Sequence, residues 1–453
     1  MTTPTRRTFI GATGATILTG LAGCSGGGGG SGGGGSGGDG SGGSDGTATS
    51  TSTPTGDGGS GGSSSEADIN IGVLLPFTGE YDWVGANVYP VTKMLVDDIN
   101  ANGGIDGRTI GLVRGDTEAT VDASVSAAQK LVNVDKVDLI VGPTSLTFTG
   151  VKDLVQENGV PVITPTAGTT ALDSVGGEYI FRTVPSDSLG GAAIAKAARN
   201  EKYNGVADYS KMGLMVGNAP ALQSFKAPVK SSFEEFGGTV TKTLDYATGK
   251  SSYQSEVSKM LQSNPEIICL VGTPEDSSKI MRAAFQAGYE GNWFVTQDQT
   301  NADFLELVEP QISDGILGLV EADNPEAAEA GRIEQFTADV KEATGSEPGI
   351  FAKNTYDAVN IGTLAMVAAA QDGDVTRESI AANVPTVAKP PEQDVANYSE
   401  GASAIAEGTD VNYEGLVGPC DFDENGDISS PFAIMQADGA EWTKVATLPA
   451  SEL

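Results

Sequence analysis

The sequence predicts an α/β protein with two domains, each built on a parallel sheet that is covered by helices. From Ile69 onward, short apolar runs typical of buried strands alternate with stretches of helical periodicity. Residues 69–453 are too many for one hydrophobic core, so two α/β domains are expected.

Strands are predicted where short apolar runs occur, and helices where apolar residues recur with helical spacing. The predicted strands are 69–75, 109–114, 139–141, 160–163, 211–216, 267–271, 293–296 and 315–320. The predicted helices are 86–100, 120–134, 146–157, 189–202, 225–236, 253–262, 274–287, 332–342 and 356–371.

Residues 1–24 are predicted to be a twin-arginine lipoprotein signal. Arg6 and Arg7 precede a short apolar run, and Cys24 follows Leu-Ala-Gly as in a lipoprotein processing site. The apolar run, 10–21, is shorter than the ~20 residues of a membrane-spanning helix, which argues against an uncleaved anchor. We therefore expect a lipid on Cys24 and a position on the extracellular face of the cell membrane.

Residues 25–67 are predicted to be a flexible linker. This segment consists almost wholly of Gly, Ser, Thr and Asp, with one proline at Pro54, and such a composition cannot bury a core.

The net charge of −34, from 26 Lys and Arg against 60 Asp and Glu, excludes nucleic acid as an expected partner. Sparse lysine and abundant acidic residues resemble an exported protein of an extreme halophile, and an ordinary acidic protein is the alternative.

The chain contains no histidine, which excludes His-dependent nucleophilic catalysis and His-liganded metal sites. Besides Cys24 it has only Cys269 and Cys420, which are too few for a thiolate metal site. We expect these two thiols to be free, with a disulfide between them as the alternative, and we expect no metal and no cofactor.

Seven short segments stand in the order found in one known family. They are 72–79 (GVLLPFTG, followed by Gly85), 100–107 (NANGGIDG), 140–143 (IVGP), 161–170 (PVITPTAGTT), 181–183 (FRT), 356–358 (YDA) and 418–427 (GPCDFDENGD). Together they resemble the type I periplasmic binding proteins, in the branched-chain amino-acid (Leu/Ile/Val)-binding branch that serves ABC transporters. The resemblance covers about residues 68 to 448.

This resemblance implies two Rossmann-like lobes joined by a three-strand hinge, with the ligand bound between them. Lobe I would be 68–186 plus 319–430, and lobe II would be 187–318 plus 431–453. Segment 182–185 and the stretch after Gly315 are plausible crossings on independent grounds. Ligands of open α/β sheets bind at the carboxyl ends of strands, so the loops there form the expected site.

Thr144 and Ser145 follow a predicted strand and precede a predicted helix, where hydroxyls and free N–H groups suit a carboxylate. The resemblance implies that Ser145 binds an amino-acid carboxylate, and a helix cap is the alternative for both residues. The loop with Ala167, Gly168 and Thr169 would offer a carbonyl and a hydroxyl, although a glycine stands where many relatives have threonine. A plain turn is the alternative for this loop.

The resemblance implies that Asp298 is the acidic residue that pairs with the ligand's α-ammonium in amino-acid-binding relatives, and a solvated surface carboxylate is the alternative. Trp83 matches a cleft-lining position in the family, with a surface or core role as its alternative. Tyr356 is a second aromatic residue that is expected to line the ligand cleft, with packing in the core as an equal alternative. Thr273 is a candidate ligand contact from lobe II.

Residues 217–220 (GNAP) depart from the family, since many relatives have an aspartate and a Tyr-Gly pair there. That position helps to line the side-chain pocket. Branched-chain amino acids remain the first choice of ligand, but another amino acid, an amide or urea-like compound, or a small aromatic acid is open.

Residues 421–427 resemble the start of a calcium-binding loop. Phe432 stands where that loop requires a bidentate glutamate, so a tight Asn-Gly turn explains the segment better.

The sequence therefore predicts a non-enzymatic, lipid-anchored solute-binding protein that closes on a small-molecule ligand and delivers it to an ABC permease. An extracellular sensor of the same fold is the alternative.

Overall fold

The structure is a computed structural model that describes residues 67–453. The predicted signal with Cys24, and the predicted linker up to residue 66, lie outside the described residues. Within 67–453, none of the helices combines the length and the apolar character needed to cross a bilayer.

The described part of the chain forms fourteen strands. They are β1 (Ile69–Leu75), β2 (Ile110–Asp116), β3 (Leu139–Val141), β4 (Val162–Thr164), β5 (Ile180–Arg182), β6 (Lys211–Gly217), β7 (Thr239–Tyr246), β8 (Ile267–Val271), β9 (Asn292–Val295), β10 (Leu317–Glu321), β11 (Gln393–Val395), β12 (Val411–Tyr413), β13 (Phe432–Asp438) and β14 (Glu441–Leu448).

Sixteen α-helices accompany them: α1 (Asp82–Ala101), α2 (Val121–Asn133), α3 (Phe148–Glu157), α4 (Asp187–Ala198), α5 (Glu201–Asn204), α6 (Pro220–Gln223), α7 (Lys226–Glu235), α8 (Gln254–Leu261), α9 (Pro274–Gln286), α10 (Ala302–Leu307), α11 (Pro310–Ser313), α12 (Pro325–Glu329), α13 (Arg332–Thr344), α14 (Ala352–Asp372), α15 (Arg377–Asn383) and α16 (Tyr398–Ala406). Short 3₁₀ helices span Gln297–Gln299 and Ala450–Glu452.

The first sheet has five parallel strands in the order β2-β1-β3-β4-β5. Alternate residues of β1 serve two cores, because successive side chains of a strand point to opposite faces. Ile71 and Val73 pack with residues of α1 and α14, whereas Leu74 packs with residues of α2 and α3. Both faces are thus covered, as the predicted α/β fold class requires.

The second sheet has seven strands in the order β14-β13-β10-β9-β8-β6-β7. Strands β6 to β10 pair in parallel, whereas β13 is antiparallel to β10 and β14. Leu214 and Val216 face one core of this lobe, and Met215 faces the other. The two-lobed α/β fold is confirmed.

Three segments link the lobes: 183–186, 322–324 and 428–431. The hydroxyl of Thr183 donates to the carbonyl of Asn354 at 2.8 Å, and the amide of Ala322 donates to the carbonyl of Pro431 at 2.9 Å. The predicted boundary at 318/319 needs correction, because β10 pairs with β13 throughout its length, up to Glu321. The crossing therefore begins after Glu321.

Both described cysteines are buried and free, as predicted. Cys269 belongs to a core of the second lobe and Cys420 to a core of the first, so the two thiols are parts of different cores.

A fully buried guanidinium, that of Arg182, lies at the first crossing. Its Nη1 donates to the carbonyls of Gly168 and Thr169, at 3.1 Å each. Its Nη2 pairs with Asp173 at 2.7 Å and also with Asp427. The carboxylate of Asp173 additionally accepts hydrogen bonds from the hydroxyls of residues 186 and 188, at the start of α4.

The segment that resembles a calcium loop is part of this network. Asp423 accepts the amides of Asn425 and Asp427 at 2.8 and 3.0 Å, which forms the predicted tight turn, and Asp427 pairs with Arg182. Over residues 67–453, no group of three or more acidic or thiol side chains is arranged to hold a metal ion.

We predict that Arg182→Met lowers the free energy of unfolding by about 3 kcal/mol or more, because Asp173 and Asp427 would lose their buried cation. Urea denaturation in molar KCl measures this change. Arg282→Met is the matched control: Arg282 is half-buried and pairs with Glu309 near the surface, so its loss should cost less than about 1 kcal/mol. Equal effects of the two substitutions would contradict the role given to Arg182.

Candidate functional site

A cavity of about 130 Å³ lies between the two lobes. We call it the cleft cavity. Its walls come from three parts of the chain. They are the first lobe (Tyr81, Trp83, Val84, Thr144, Ser145, Leu146, Thr166, Gly168 and Phe351), the first crossing (Val184, Pro185 and Ser186) and the second lobe (Asp187, Gly190, Ala221, Leu222, Phe225, Thr296, Gln297, Asp298, Leu319 and Phe432).

The loop after β3 supplies two hydroxyls to the cavity. Ser145 Oγ accepts the amide of Thr169 at 3.2 Å. Thr144 Oγ1 is buried and has no hydrogen-bond partner among residues 67–453. Buried polar atoms are normally paired, so Thr144 Oγ1 is available to a polar group in the cavity. The helix α3 begins at Phe148 after Thr147, so neither predicted residue caps it.

The loop after β4 contributes less than predicted. Gly168 lines the cavity, but Ala167 is fully buried in a core of the first lobe. Thr169 does not line the cavity either, because its hydroxyl accepts the amide of Ala171 at 3.3 Å within its own turn. Neither Ala167 nor Thr169 is among the residues that line the cavity, so the predicted contact of the Thr169 hydroxyl with a ligand is not supported.

Asp298 lies in the 3₁₀ turn after β9 and lines the cavity. This turn is held by the side chains of Thr296 and Gln299, whose oxygens are 2.8 Å apart. The side chain of Asp298 is exposed only in part, and desolvation raises the pKa of its carboxyl to about 6. A cation beside it would favour its ionised form.

Asp187 is a second carboxyl in the cavity, and sequence reasoning missed it. It is the first residue of α4, and its amide donates to the carbonyl of Gly168 at 2.7 Å. Burial raises the pKa of Asp187 to about 7; Asp298 also raises it, whereas a hydrogen bond with Ser224 and the charge of Arg182 lower it. Acidic residues are common in the first turn of a helix, so its position alone gave no functional signal.

No lysine or arginine is among the described residues that line the cleft cavity. Asp187 and Asp298 are its two acidic residues. The electrostatic character of the cavity therefore favours a ligand with a positively charged group.

The remaining walls are largely apolar. Trp83 lines the cavity as predicted and stacks on Phe351, with ring centroids 6.3 Å apart and planes inclined by 12°. On the opposite side, Leu222 and Phe225 come from α6 and the residue before α7, directly after the segment that departs from the family pattern.

Two further predicted residues lie elsewhere. Tyr356 packs edge-on against Phe336 at 5.3 Å, in a core cluster of the first lobe, which is the core alternative. Thr273 caps α9 by accepting the amide of Asp276 at 3.3 Å. Thr273 is thus engaged in capping a helix and Tyr356 in core packing, and neither side chain needs a ligand as its partner.

The lobes touch each other beside the cavity. The amide of Thr170, in the first lobe, donates to Ser224 Oγ, in the second lobe, at 2.9 Å. Tyr81 of the first lobe faces acidic residues of the second: burial, the charge of Glu80 and then that of Asp298 raise the pKa of Tyr81 to about 12. The cavity is thus enclosed from both sides.

The sequence model of one protein family, described as periplasmic binding protein, matches residues 68–441. A Leu/Ile/Val-binding protein homologue of Brucella melitensis is 30% identical over 233 residues, which is 49% of this chain and 60% of that protein. That match spans less than two thirds of the Brucella protein.

A chemotactic signal transduction system substrate-binding protein, BasB of Halobacterium salinarum, is 26% identical over 365 residues. This match covers 78% of the chain and 83% of the relative. Among solved structures, a leucine-binding protein of Thermotoga maritima superimposes with a TM-score of 0.69 at 22% identity, covering 85% of this chain and 100% of that one. This likeness shows a shared fold.

We predict that Asp298→Asn stabilises the ligand-free protein at pH 8 but not at pH 4. The carboxyl binds its proton more tightly when folded, with a pKa of about 6 against 3.8, so its contribution to stability falls as pH rises through this window. An asparagine does not ionise, and the gain at pH 8 should be on the order of 1–3 kcal/mol.

Urea denaturation at both pH values, in molar KCl, measures this difference. Asp303→Asn is the control, since Asp303 is exposed in the first turn of α10 and should show little change with pH. The same gain for Asp298→Asn at pH 4 and pH 8 would contradict the raised pKa.

Proposed function

Since the chain belongs to the type I periplasmic binding proteins of the branched-chain amino-acid family, we propose that it captures an amino acid outside the cell. Two lobes close on the ligand, and the protein then delivers it to the permease of an ABC importer. Members of this family bind solutes and are not enzymes, so the proposed role is capture without chemistry.

The observation that carries this proposal is the division of the cavity into polar and apolar parts. Thr144 offers an unpartnered hydroxyl in the loop before α3, and Asp298 offers a carboxyl from the other lobe. These groups suit the carboxylate and the ammonium of a zwitterion. A ligand held by groups of both lobes favours the closed state.

The apolar wall indicates the ligand's side chain. Leu222, Phe225, Leu319 and Phe432 surround the cavity with aliphatic and aromatic groups and offer no charged partner. A branched-chain or related aliphatic amino acid matches this wall. A small aromatic acid matches it less well, because such an anion would meet two carboxyls and no cation. An amide or urea-like compound would leave the carboxyls without a cation.

We further propose that a lipid on Cys24 holds the mature protein at the extracellular face of the membrane after export by the twin-arginine route. Residues 25–67 are rich in Gly and Ser and would act as a flexible tether. Such a tether keeps the local concentration of the binding protein near its permease high.

A second candidate function is sensing. The relative in Halobacterium salinarum belongs to a chemotactic signal transduction system and aligns over most of both chains. In this reading, the closed protein would be recognised by a membrane transducer instead of a permease. Deletion of the gene separates the two roles: loss of amino-acid uptake supports import, and loss of taxis with normal uptake supports sensing.

We expect titration calorimetry of the full chain in molar KCl to detect micromolar binding of leucine, isoleucine or valine. Asp298→Ala should weaken this binding at least thirtyfold, because truncating one partner of a buried charge pair costs about 2–5 kcal/mol. Asp303→Ala, which removes an exposed carboxylate of the same lobe, is the matched control and should bind as the wild type does. Absence of binding by the folded wild-type protein to every amino acid would reject the proposal.

We expect Cys24→Ser to move the protein from the membrane fraction to the medium, with loss of the mass of the lipid from the mature chain. Cell fractionation and mass spectrometry measure the two effects. Cys420→Ser is the control, since that thiol is buried in the first lobe and should leave the location unchanged. A Cys24→Ser variant that remains on the membrane would argue against lipid anchoring.

A further inference from the structure

The missing side chain at Gly168 makes room for the carboxyl of Asp187. A β-carbon at position 168 would lie 2.5 Å from Asp187 Oδ1, which is far inside van der Waals contact. A residue with a side chain there would therefore force the carboxyl away from its present place. The glycine and the aspartate form a pair, and both line the cleft cavity.

The charged groups near Asp187 are unevenly distributed. The charge of Arg182 lowers the pKa of Asp187 and that of Asp173 raises it, and these two residues pair with each other at 2.7 Å. From the second lobe, Ser224 is a neutral hydrogen-bonding partner, and Lys226 of α7 is engaged with Asp245 at 2.6 Å. Asp298 is the charged group that acts on it from the second-lobe wall of the cavity.

We propose that Asp187 and Asp298 together hold the ligand's ammonium group, and that a proton leaves this carboxyl pair when the ammonium enters. This inference rests on the proposed function and adds a second acidic contact to it. The step is a simple exchange: the carboxylic acid gives its proton to solvent, and the resulting carboxylate pairs with the cation.

The two carboxyls also determine which ligands are rejected. A carboxylic acid that lacks the amino group would bring an anion to two acidic groups, with no lysine or arginine among the described lining residues to receive it. The site should therefore discriminate strongly between leucine and 4-methylpentanoate, which is leucine without its ammonium.

The ionisation of the pair in the empty cavity supports a proton exchange near neutral pH. The pKa of Asp187 is raised to about 7 and that of Asp298 to about 6, so Asp187 is about half protonated at pH 7. A cation lowers both pKa values, so binding at pH 7 should release about half a proton. Affinity should be about twentyfold weaker at pH 6 than at pH 8, because both carboxyls must lose their protons.

The experiment is calorimetric titration of the full chain with L-leucine at pH 7, in phosphate and in Tris. These buffers differ in their heat of ionisation, so the difference in measured enthalpy counts the protons released. We expect about half a proton for the wild type. For Asp187→Asn we expect clearly less release, at least tenfold weaker binding at pH 8, and a smaller preference for leucine over 4-methylpentanoate.

Gly168→Ala provides a second test, because it keeps both carboxyls but displaces that of Asp187. It should reduce proton release as Asp187→Asn does. Asp138→Asn is the control: Asp138 has a raised pKa, caused by burial, but it lies outside the cavity and accepts the amide of Asn70 at 2.8 Å. This variant should behave as the wild type.

Leucine binding without proton release, together with wild-type affinity in Asp187→Asn, would overturn this inference and leave the proposed function intact. Failure of the folded wild-type chain to bind any amino acid would instead reject the proposed function and the inference with it.

Discussion

The structure around the cleft cavity depends on the buried guanidinium of Arg182. Its five N–H donors allow it to bind the loop with Gly168, the carboxylate of Asp173 and the turn that ends at Asp427 at the same time. Asp173 in turn accepts hydrogen bonds from the hydroxyls that begin α4. One cation thus fixes the ligand-facing loop, the first crossing between the lobes and the last segment before β13. Because lysine lacks this planar fork of donors, it could not hold all three in the same geometry.

The same cation explains why the cavity can be acidic. Arg182 does not line the cavity. Its charge is neutralised outside the cavity by Asp173 and Asp427. It lowers the pKa of Asp187 only in part, since burial dominates and leaves that pKa near 7. The pKa values of Asp187 and Asp298 therefore lie near neutral pH, so small changes in local charge at that pH alter the ionisation of both carboxyls.

The sequence predicted the buried strands better than the exposed ones. The limits of β1, β3 and β8 agree with apolar runs, because strands of a parallel sheet are buried on both faces. Strands β7 and β14 were missed because they form the edges of the second sheet and most of their residues are exposed or half-buried. Strand β5 was also missed, although all three of its residues are buried.

The site residues divide in a similar way. Trp83, Thr144, Ser145, Gly168 and Asp298 line the cavity. They lie in the loops, or in the first helical turns, that follow the carboxyl ends of strands, and the order of elements along the chain locates these segments well. Thr169, Thr273 and Tyr356 lie in the expected elements, but local hydrogen bonds or packing turn their side chains to other partners. Sequence position locates a loop near the ligand, but it does not determine which side chain of that loop faces inward.

Asp187 is the converse case, a residue whose side chain lines the cavity although nothing in the sequence pointed to it. Its place in the cavity depends on the absence of a side chain at Gly168, nineteen positions earlier in the chain. In the sequence, the glycine is a departure from the family pattern, and the aspartate resembles an ordinary helix start. Only the fold brings them together.

If the lobes close without a ligand, two carboxyls share a desolvated space without a cation, which favours protonation of a carboxyl or opening of the lobes. An ammonium removes that penalty, so the charge that the ligand carries also favours closure of the lobes around it.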